Sequence, residues 1–373
     1  MIRILIGGDV YPGGTVQSAF IEGRAADIFH DLLPEIASAD LSIVNLECPL
    51  ISRETPIAKA GPVLGAPREC IRGFAEAGWN VLNLANNHSF DHGAEGLQET
   101  IRTIREAGLE PLGAGENIFE AQEPFVKEIE GQRIVVYSMA EREFSVAAED
   151  FPGANPLDLI NVVHAIREHK RGGVFIVLIH GGNEYYPYPS PEMVKRCHFM
   201  VDMGADAVVC CHAHCPLPWE TYRDRPIVYG MGNLVFEAFR REPEAWHQGY
   251  LARLTVGPDN VRFEPVPYSQ SQPDGGARRL PPDRERLFIA ELDVRAADLL
   301  SEERLQARWA GYCQSRRNSY LTMLFGYQGF LAKIRRRLFT RCYSEQAVRQ
   351  ALLLVQCEAH QEVLKTLFDG ARR

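Results

Sequence analysis

The sequence predicts an α/β protein built on a layered sheet, followed by a helical appendage at its C-terminal end. Two patterns carry this expectation. Apolar runs of strand length alternate with amphipathic helical stretches through the first 268 residues. From about Ala296 onward the periodicity becomes purely helical. Composition agrees: 46% hydrophobic and 24% charged residues over 373 positions suit a chain that buries a full core.

In chain order, the expected strands are Ile2–Gly7, Leu41–Asn45, Val81–Ala85, Ile134–Met139, Val174–His180, Ala207–Cys211 and Ile227–Tyr229. Each is a short aliphatic, mostly β-branched run closed by polar or glycine residues. Helices fall between them at Ala94–Ala107 and Leu157–His169. Another opens at Ser190-Pro191-Glu192, where serine supplies the cap and proline the first helical position. Tyr250–Val256 and Val261–Pro267 flank Gly257-Pro258-Asp259-Asn260 and read as a hairpin. Ser269–Arg286 is rich in Pro, Gly, Ser and Arg and reads as an exposed loop. These features divide the chain into a domain over 1–268, a loop and linker over 269–297, and a basic helical region over 298–373. That last region has expected helices at 298–314, 318–339 and 344–368.

The net charge of −9 argues against a general nucleic-acid binder. Charge is unevenly spread: thirteen Lys/Arg stand against six Asp/Glu from Leu299 onward, which leaves −16 on residues 1–298. Within the tail, Lys333-Ile334-Arg335-Arg336-Arg337 reads either as a solvated helix face or as a surface for an anionic polymer or membrane. No run approaches the ~18 apolar residues of a membrane span, and MIRILIGGDV reads as a first buried strand rather than a secretion leader. Nine irregularly spaced cysteines fit free thiols in a reducing compartment. A cytoplasmic location is the expectation.

Polar residues gather where the apolar strands end. Asp9 follows Gly7-Gly8, and Glu47 follows Asn45-Leu46. Asn86-Asn87-His88 leads to Asp91 and His92, His180 leads through Gly181-Gly182-Asn183 to Glu184, and His212 and His214 follow Cys211. Loops at the carboxyl ends of neighbouring strands form the usual rim of an α/β active site. Their mixed oxygen and nitrogen donors suit Mn, Zn or Fe. Taken singly, each residue has a structural reading: a loop-capping Asp9, a surface Glu47, turn chemistry at Asn86-Asn87, a core His180. Five such loops in order argue for a divalent metal site of one or two ions. The stretch CCHAHC does not make a zinc knuckle, because no second C-x2-C pair stands elsewhere in the chain.

The segments GGDVYPGG, NLECPL, NLANNHSFDHG, IHGGNEYYPYP, GADAVVCCHAH and YGMGNLVFE resemble, in order and spacing, the motifs of the CapA-type family. That family is associated with poly-γ-glutamate and capsule biosynthesis and belongs to the calcineurin-like metallophosphoesterase superfamily. The resemblance covers about residues 1–268. It implies a layered αββα fold holding two metals, with Asp9 and His214 on the first, Glu47 bridging, and Asn87, His180 and His212 on the second. His88 would be the general acid or transition-state clamp, and the substrate an anionic or phosphorylated small molecule or polymer. Such paired ions, about 3.5–4 Å apart, support hydrolysis of phosphoesters; an amide substrate and a non-catalytic, polymer- or synthase-binding role stand as alternatives. The family's superfamily motif Asp-x-His reads Asp9-Val10-Tyr11 here, so the first metal lacks a nitrogen ligand for which Glu184 or His92 is a candidate substitute. Asp91, His92, Glu184, Tyr185 and Asn233 are expected to orient ligands or meet substrate.

Overall fold

Side chains alternate between faces along a strand, and here both faces are apolar. In Ile2–Val10, Ile4 and Ile6 face one core and Leu5 another; in Val174–His180, Ile176 and Leu178 face one core and Phe175, Val177 and Ile179 another. A strand buried on both sides needs a layer on each side. The computed structural model supplies them, and describes residues 1–324 apart from 238–241, 259 and 272–274, with a few single positions between 349 and 360.

The first sheet has eight strands. Running across it are Ala277–Arg279, Val261–Gln270, Gln248–Val256, Ile2–Val10, Leu41–Leu46, Val81–Asn83 and Glu110–Leu112, with Asn233–Val235 paired parallel to the end of Ile2–Val10. The second has six, ordered Trp219–Tyr222, Arg225–Val228, Ala207–Cys211, Val174–His180, Gln132–Ala140 and Phe125–Ile129. The central strands of both sheets are parallel.

Ile4, Ile6, Ile43 and Val81 of the first sheet share one core with Ile134, Val136, Ile176, Leu178 and Val209 of the second, so the two sheets face each other. Helices cover the outsides. Phe20, Phe29, Phe74, Leu97 and Ile104 pack on the first sheet, and Val162, Ile166, Met193 and Met200 pack on the second. The result is the αββα sandwich that the family resemblance implies.

The expected helices appear at Gly93–Glu106, Leu159–His169 and Pro191–Asp202, the last capped by Ser190 Oγ accepting from the Met193 amide at 3.1 Å. The hairpin appears as Gln248–Val256 and Val261–Gln270.

Residues 269–297 depart from the expected loop and linker. Ala277–Arg279 extends the first sheet, and Pro282–Leu299 is a helix that buries Phe288 and Leu292 in the inter-sheet core. Its apolar stripe is sparse among charged residues, so the composition of the segment masks the helical period. The expected break between 314 and 318 is also absent, since Glu302–Leu324 is one continuous helix. Met1–Gln306 form one compact unit and the chain from Ala307 belongs to a second. Most of the expected helices at 318–339 and 344–368, and the basic cluster 333–337, lie outside the described residues.

Candidate metal centre

The column of residues facing between the sheets is apolar along most of each strand and turns polar at the carboxyl end. Ile43 is followed two residues on by Asn45, Val81 by Asn83, Leu178 by His180 and Val209 by Cys211. The period that builds the inter-sheet core therefore also delivers a cluster of polar side chains to one end of it. Asp9 joins them through an irregularity in register between Gly7 and Asp9. At Gly8 a Cβ would lie 2.1 Å from the Gly232 carbonyl oxygen, so the absent side chain is what lets Asn233 approach this end.

Three donors converge tightly. Asn87 Oδ1 lies 2.9 Å from His180 Nε2, and His212 Nδ1 lies 3.0 Å from the same nitrogen. Glu47 Oε1 is 3.8 Å from His180 Nε2 and 3.8 Å from His214 Nε2. Asp9 lies beyond, its Oδ2 3.8 Å from His214 Nδ1. Two sets of three ligand atoms, Asp9–His180–Cys211 and Glu47–His212–His214, each fall within 4.8 Å of one another. His212 and His214 hold backbone φ of +100° and +54°, and Tyr185, whose amide donates to the Ala213 carbonyl at 2.9 Å, holds +60°. Left-handed backbone at three non-glycine positions is strain of the kind that clusters where side-chain aim matters.

The donors are almost wholly buried, and their electrostatics show what they lack. Burial, and then the Asp9 carboxylate, push Glu47 well above the carboxylate range; Glu184 and Glu143 add to this. Burial also raises Asp9, against the opposing pull of His214 and the His212 amide. The imidazoles move the other way: burial and then His212 hold His180 well below its ordinary value, and burial with His214 brings His212 down to about 3. Both Glu47 oxygens are buried without a hydrogen-bond partner among the described residues. A buried acceptor left this way costs about 1–3 kcal/mol, and a divalent cation amid these oxygens and lone-pair nitrogens removes that cost. The donor set fits such an ion.

Around the donors runs a polar chain whose members Asn45, Asn83 and Asn86 lie within the motif segments but are not among the residues that the sequence places in the site. Asn45 Nδ2 donates to Asp9 Oδ1 at 2.8 Å, while its Oδ1 accepts from Asn83 Nδ2 at 2.9 Å and Asn86 Nδ2 at 3.2 Å. Asn86 Oδ1 in turn accepts from the His88 amide at 3.1 Å. Asn233 Oδ1 contacts His214 Nδ1 at 2.8 Å, which fixes a proton there and leaves Nε2 for a ligand role. Asn45 and Asn83 were findable from the sequence, since each follows a core residue at a spacing of two. Glu143 was not: it comes from the loop after Gln132–Ala140, accepting from Asn87 Nδ2 at 3.2 Å and lying 3.9 Å from His212 Nε2. Cys211 Sγ sits 3.3 Å from His180 Nδ1.

His88 is turned toward Asp91, with 2.7 Å between Nδ1 and Oδ2. His92 is held apart, its Nδ1 accepting from the Thr55 amide at 2.8 Å. Glu184 is exposed. Tyr185 stacks on Trp246 with centroids 5.9 Å apart, and Trp246 and Phe236 lie 5.0 and 5.3 Å from the His214 ring. An aromatic wall thus borders the His214 side. Tyr11, at the place of the missing motif histidine, joins that wall 5.4 Å from Phe236, with its hydroxyl 3.5 Å from the Gly65 carbonyl.

This arrangement places a buried cluster of candidate metal ligands, drawn from several strand ends, at one end of an αββα sandwich. The family model described as bacterial capsule synthesis protein PGA_cap matches residues 3–238, and the chain belongs to that family. Over 240 residues it is 30% identical to the capsule biosynthesis protein CapA of Bacillus anthracis, covering 62% of this chain and 58% of that one. Over 271 residues it is 28% identical to the PGA biosynthesis protein CapA of Bacillus subtilis (strain 168), covering 70% and 69%. A probable polyglutamine synthesis accessory protein of Mycobacterium tuberculosis is 29% identical over 231 residues, covering 56% of this chain and 60% of that one. The chain therefore spans less than two thirds of the length of the B. anthracis and M. tuberculosis relatives. Among solved structures, a novel phosphatase from Mycoplasma pneumoniae aligns with a TM-score of 0.47 at 17% identity, covering 73% of this chain and 95% of that one. Among the described residues no helix is long and apolar enough to cross a membrane.

Proposed function

We propose that the protein is a metal-dependent hydrolase, phosphoesterase-like in chemistry, that acts in capsule or poly-γ-glutamate metabolism. The observation that carries this is Glu47: a buried carboxylate with neither oxygen partnered among the described residues, ringed by ligand atoms from separate strand ends, with an imidazole–carboxylate pair nearby in the same loop as Asn87. Asn87, His180 and His212 with Glu47 would hold one divalent ion; Asp9 and His214 with Glu47 would hold a second. Mn, Zn and Fe suit these donors. Bound there, such ions activate water as a nucleophile and stabilise charge developing on phosphoryl oxygens.

The chain's own residues account for the rest. Asp91 accepts the Nδ1 proton of His88, and the doubly protonated ring would give its Nε2 proton to the leaving oxygen and keep the one on Nδ1, a contribution of about 10²–10⁴-fold. Asn45 and Asn233 hold Asp9 and His214 in one orientation. Tyr185 and Trp246 exclude water on one flank. The substrate class that fits is an anionic phosphoester of polymer metabolism.

A second reading, a non-catalytic accessory in polymer synthesis, draws on Tyr11 in place of a motif histidine and on the accessory designation of the M. tuberculosis relative. One experiment separates them. Bound metals are measured in the purified protein, and phosphomonoesters, phosphodiesters and γ-glutamyl amides are assayed with added Mn, beside His88→Ala and Asn87→Ala. Phosphoester turnover lost in both variants supports the hydrolase. Tightly bound metal with no turnover on any phosphoester sinks it, and turnover confined to the amides makes the enzyme an amidase.

A further inference from the structure

Between the two-residue strands Leu50–Ile51 and Ala66–Pro67 the chain makes a long excursion without regular structure. It is nevertheless tied down against the loop that carries His88. The Thr55 amide donates to His92 Nδ1 at 2.8 Å and its hydroxyl to the His92 carbonyl at 2.8 Å. The Ile57 amide reaches the Asp91 carbonyl at 3.0 Å, and the Leu64 amide reaches Asp91 Oδ2 at 2.7 Å. Between these tethers Lys59 turns inward. Its side chain is 2% exposed, its ammonium pairs with Asp91 Oδ1, and it lies 5.8 Å over the Phe144 ring.

A lysine buried to this degree needs a reason, because burying an ammonium is costly unless it is paired. Asp91 collects three donors here: Lys59 on Oδ1, and His88 Nδ1 and the Leu64 amide on Oδ2. Lys59 Nζ is also 3.2 Å from His88 Nδ1, yet both groups are donors, so the carboxylate between them is the partner of each. With Oδ1 anchored by the ammonium, the carboxylate cannot rotate, and Oδ2 stays aimed at the imidazole.

We infer that Lys59 is a positioning residue: it fixes Asp91 so that His88 keeps its Nδ1 proton directed at the carboxylate and, when doubly protonated, presents its Nε2–H to the substrate. The role deepens the hydrolase reading and rests on it for its kinetic consequence. The structural part stands independently of turnover and is tested separately.

The test uses the full chain loaded with Zn. In proton NMR, the Nδ1 proton of the His88–Asp91 pair is assigned by its loss in His88→Ala. Lys59→Met is expected to abolish or shift that signal while Zn content and circular dichroism stay at wild-type values, and Lys59→Arg is expected to restore it. Lys59→Gln, which also removes the charge, serves if Lys59→Met does not fold, and is expected to disturb the signal in the same way. An unchanged signal in the charge-free variant overturns the inference, whether or not the protein turns over phosphoesters. Where wild type is active, Lys59→Met should lower kcat on alkyl phosphates by about 10–100-fold with KM unchanged. It should lose far less on p-nitrophenyl phosphate, whose leaving group needs no proton, and should add nothing to His88→Ala. Equal losses on both substrates, or additivity with His88→Ala, also overturn it. Absent wild-type turnover counts against the hydrolase reading alone.

Discussion

The two halves of the cluster are built to different standards. Around His180 Nε2, Asn87 and His212 stand at 2.9 and 3.0 Å, and Glu143 reaches in behind them. Around Asp9 and His214 the contacts open to 3.8 Å, and the residue two positions past Asp9 is Tyr11, turned into the aromatic wall. The chain supplies one half with two nitrogens and an amide oxygen, and the other with a single imidazole besides its carboxylates. The tighter and more nitrogen-rich set of candidate ligands belongs to the His180 half; the Asp9 half draws on Glu47 and on the asparagines that hold Asp9 and His214. The contrast teaches that, if the cluster holds ions as proposed, the His180 half can supply most of a ligand set by itself and the Asp9 half relies on support from outside it.

Substitutions test that asymmetry. The largest effect is expected from His180→Ala, which removes the nitrogen on which the tighter half converges. It should strip the ion from that half, leave the weaker one, and abolish phosphoester turnover, as metal analysis beside the assay would show. Retention of both ions would refute the assignment. Next, Asn233→Ala frees His214 and should weaken metal binding in the Asp9 half by about 10–100-fold, with the His180 half unchanged in a chelator-competition titration. Equal weakening of both halves would erase the distinction.

Glu47→Gln tests the shared member. In chelated protein it removes a buried carboxyl that burial and then Asp9 push well above the carboxylate range, and should raise the thermal midpoint at neutral pH. With metal added it should lower the midpoint relative to wild type. The same sign in both conditions would mean that Glu47 does not bind the ion. The smallest effect is expected from Tyr11→His, which restores a nitrogen near Asp9 and should increase the metal retained after dialysis. No increase would show that the side chain at 11 cannot leave the aromatic wall.

Much of this was legible in the sequence. Strand runs such as Val174–His180 and Ala207–Cys211 stand where they were expected, because local period and β-branched content are properties of short segments. The donor loops were legible too, since they follow those strands directly. The helix Pro282–Leu299 was not, as its buried positions, Phe288 and Leu292, matter only once a groove between two sheets exists to receive them. Lys59 was not either: nothing nearby in sequence marks it, and its partner Asp91 lies 32 residues on.

By itself, then, the sequence determined the layered α/β architecture and the order in which polar loops follow the strands, because both rest on patterns within about ten residues. Tertiary structure alone decided that Glu47 is left with no hydrogen-bond partner among the described residues, that Asn45 and Asn83 link into one chain behind Asp9, and that Lys59 closes on Asp91. Those are outcomes of burial and of contacts between distant segments. The free energy of a charge depends on which groups surround it after folding, and no local pattern specifies that environment.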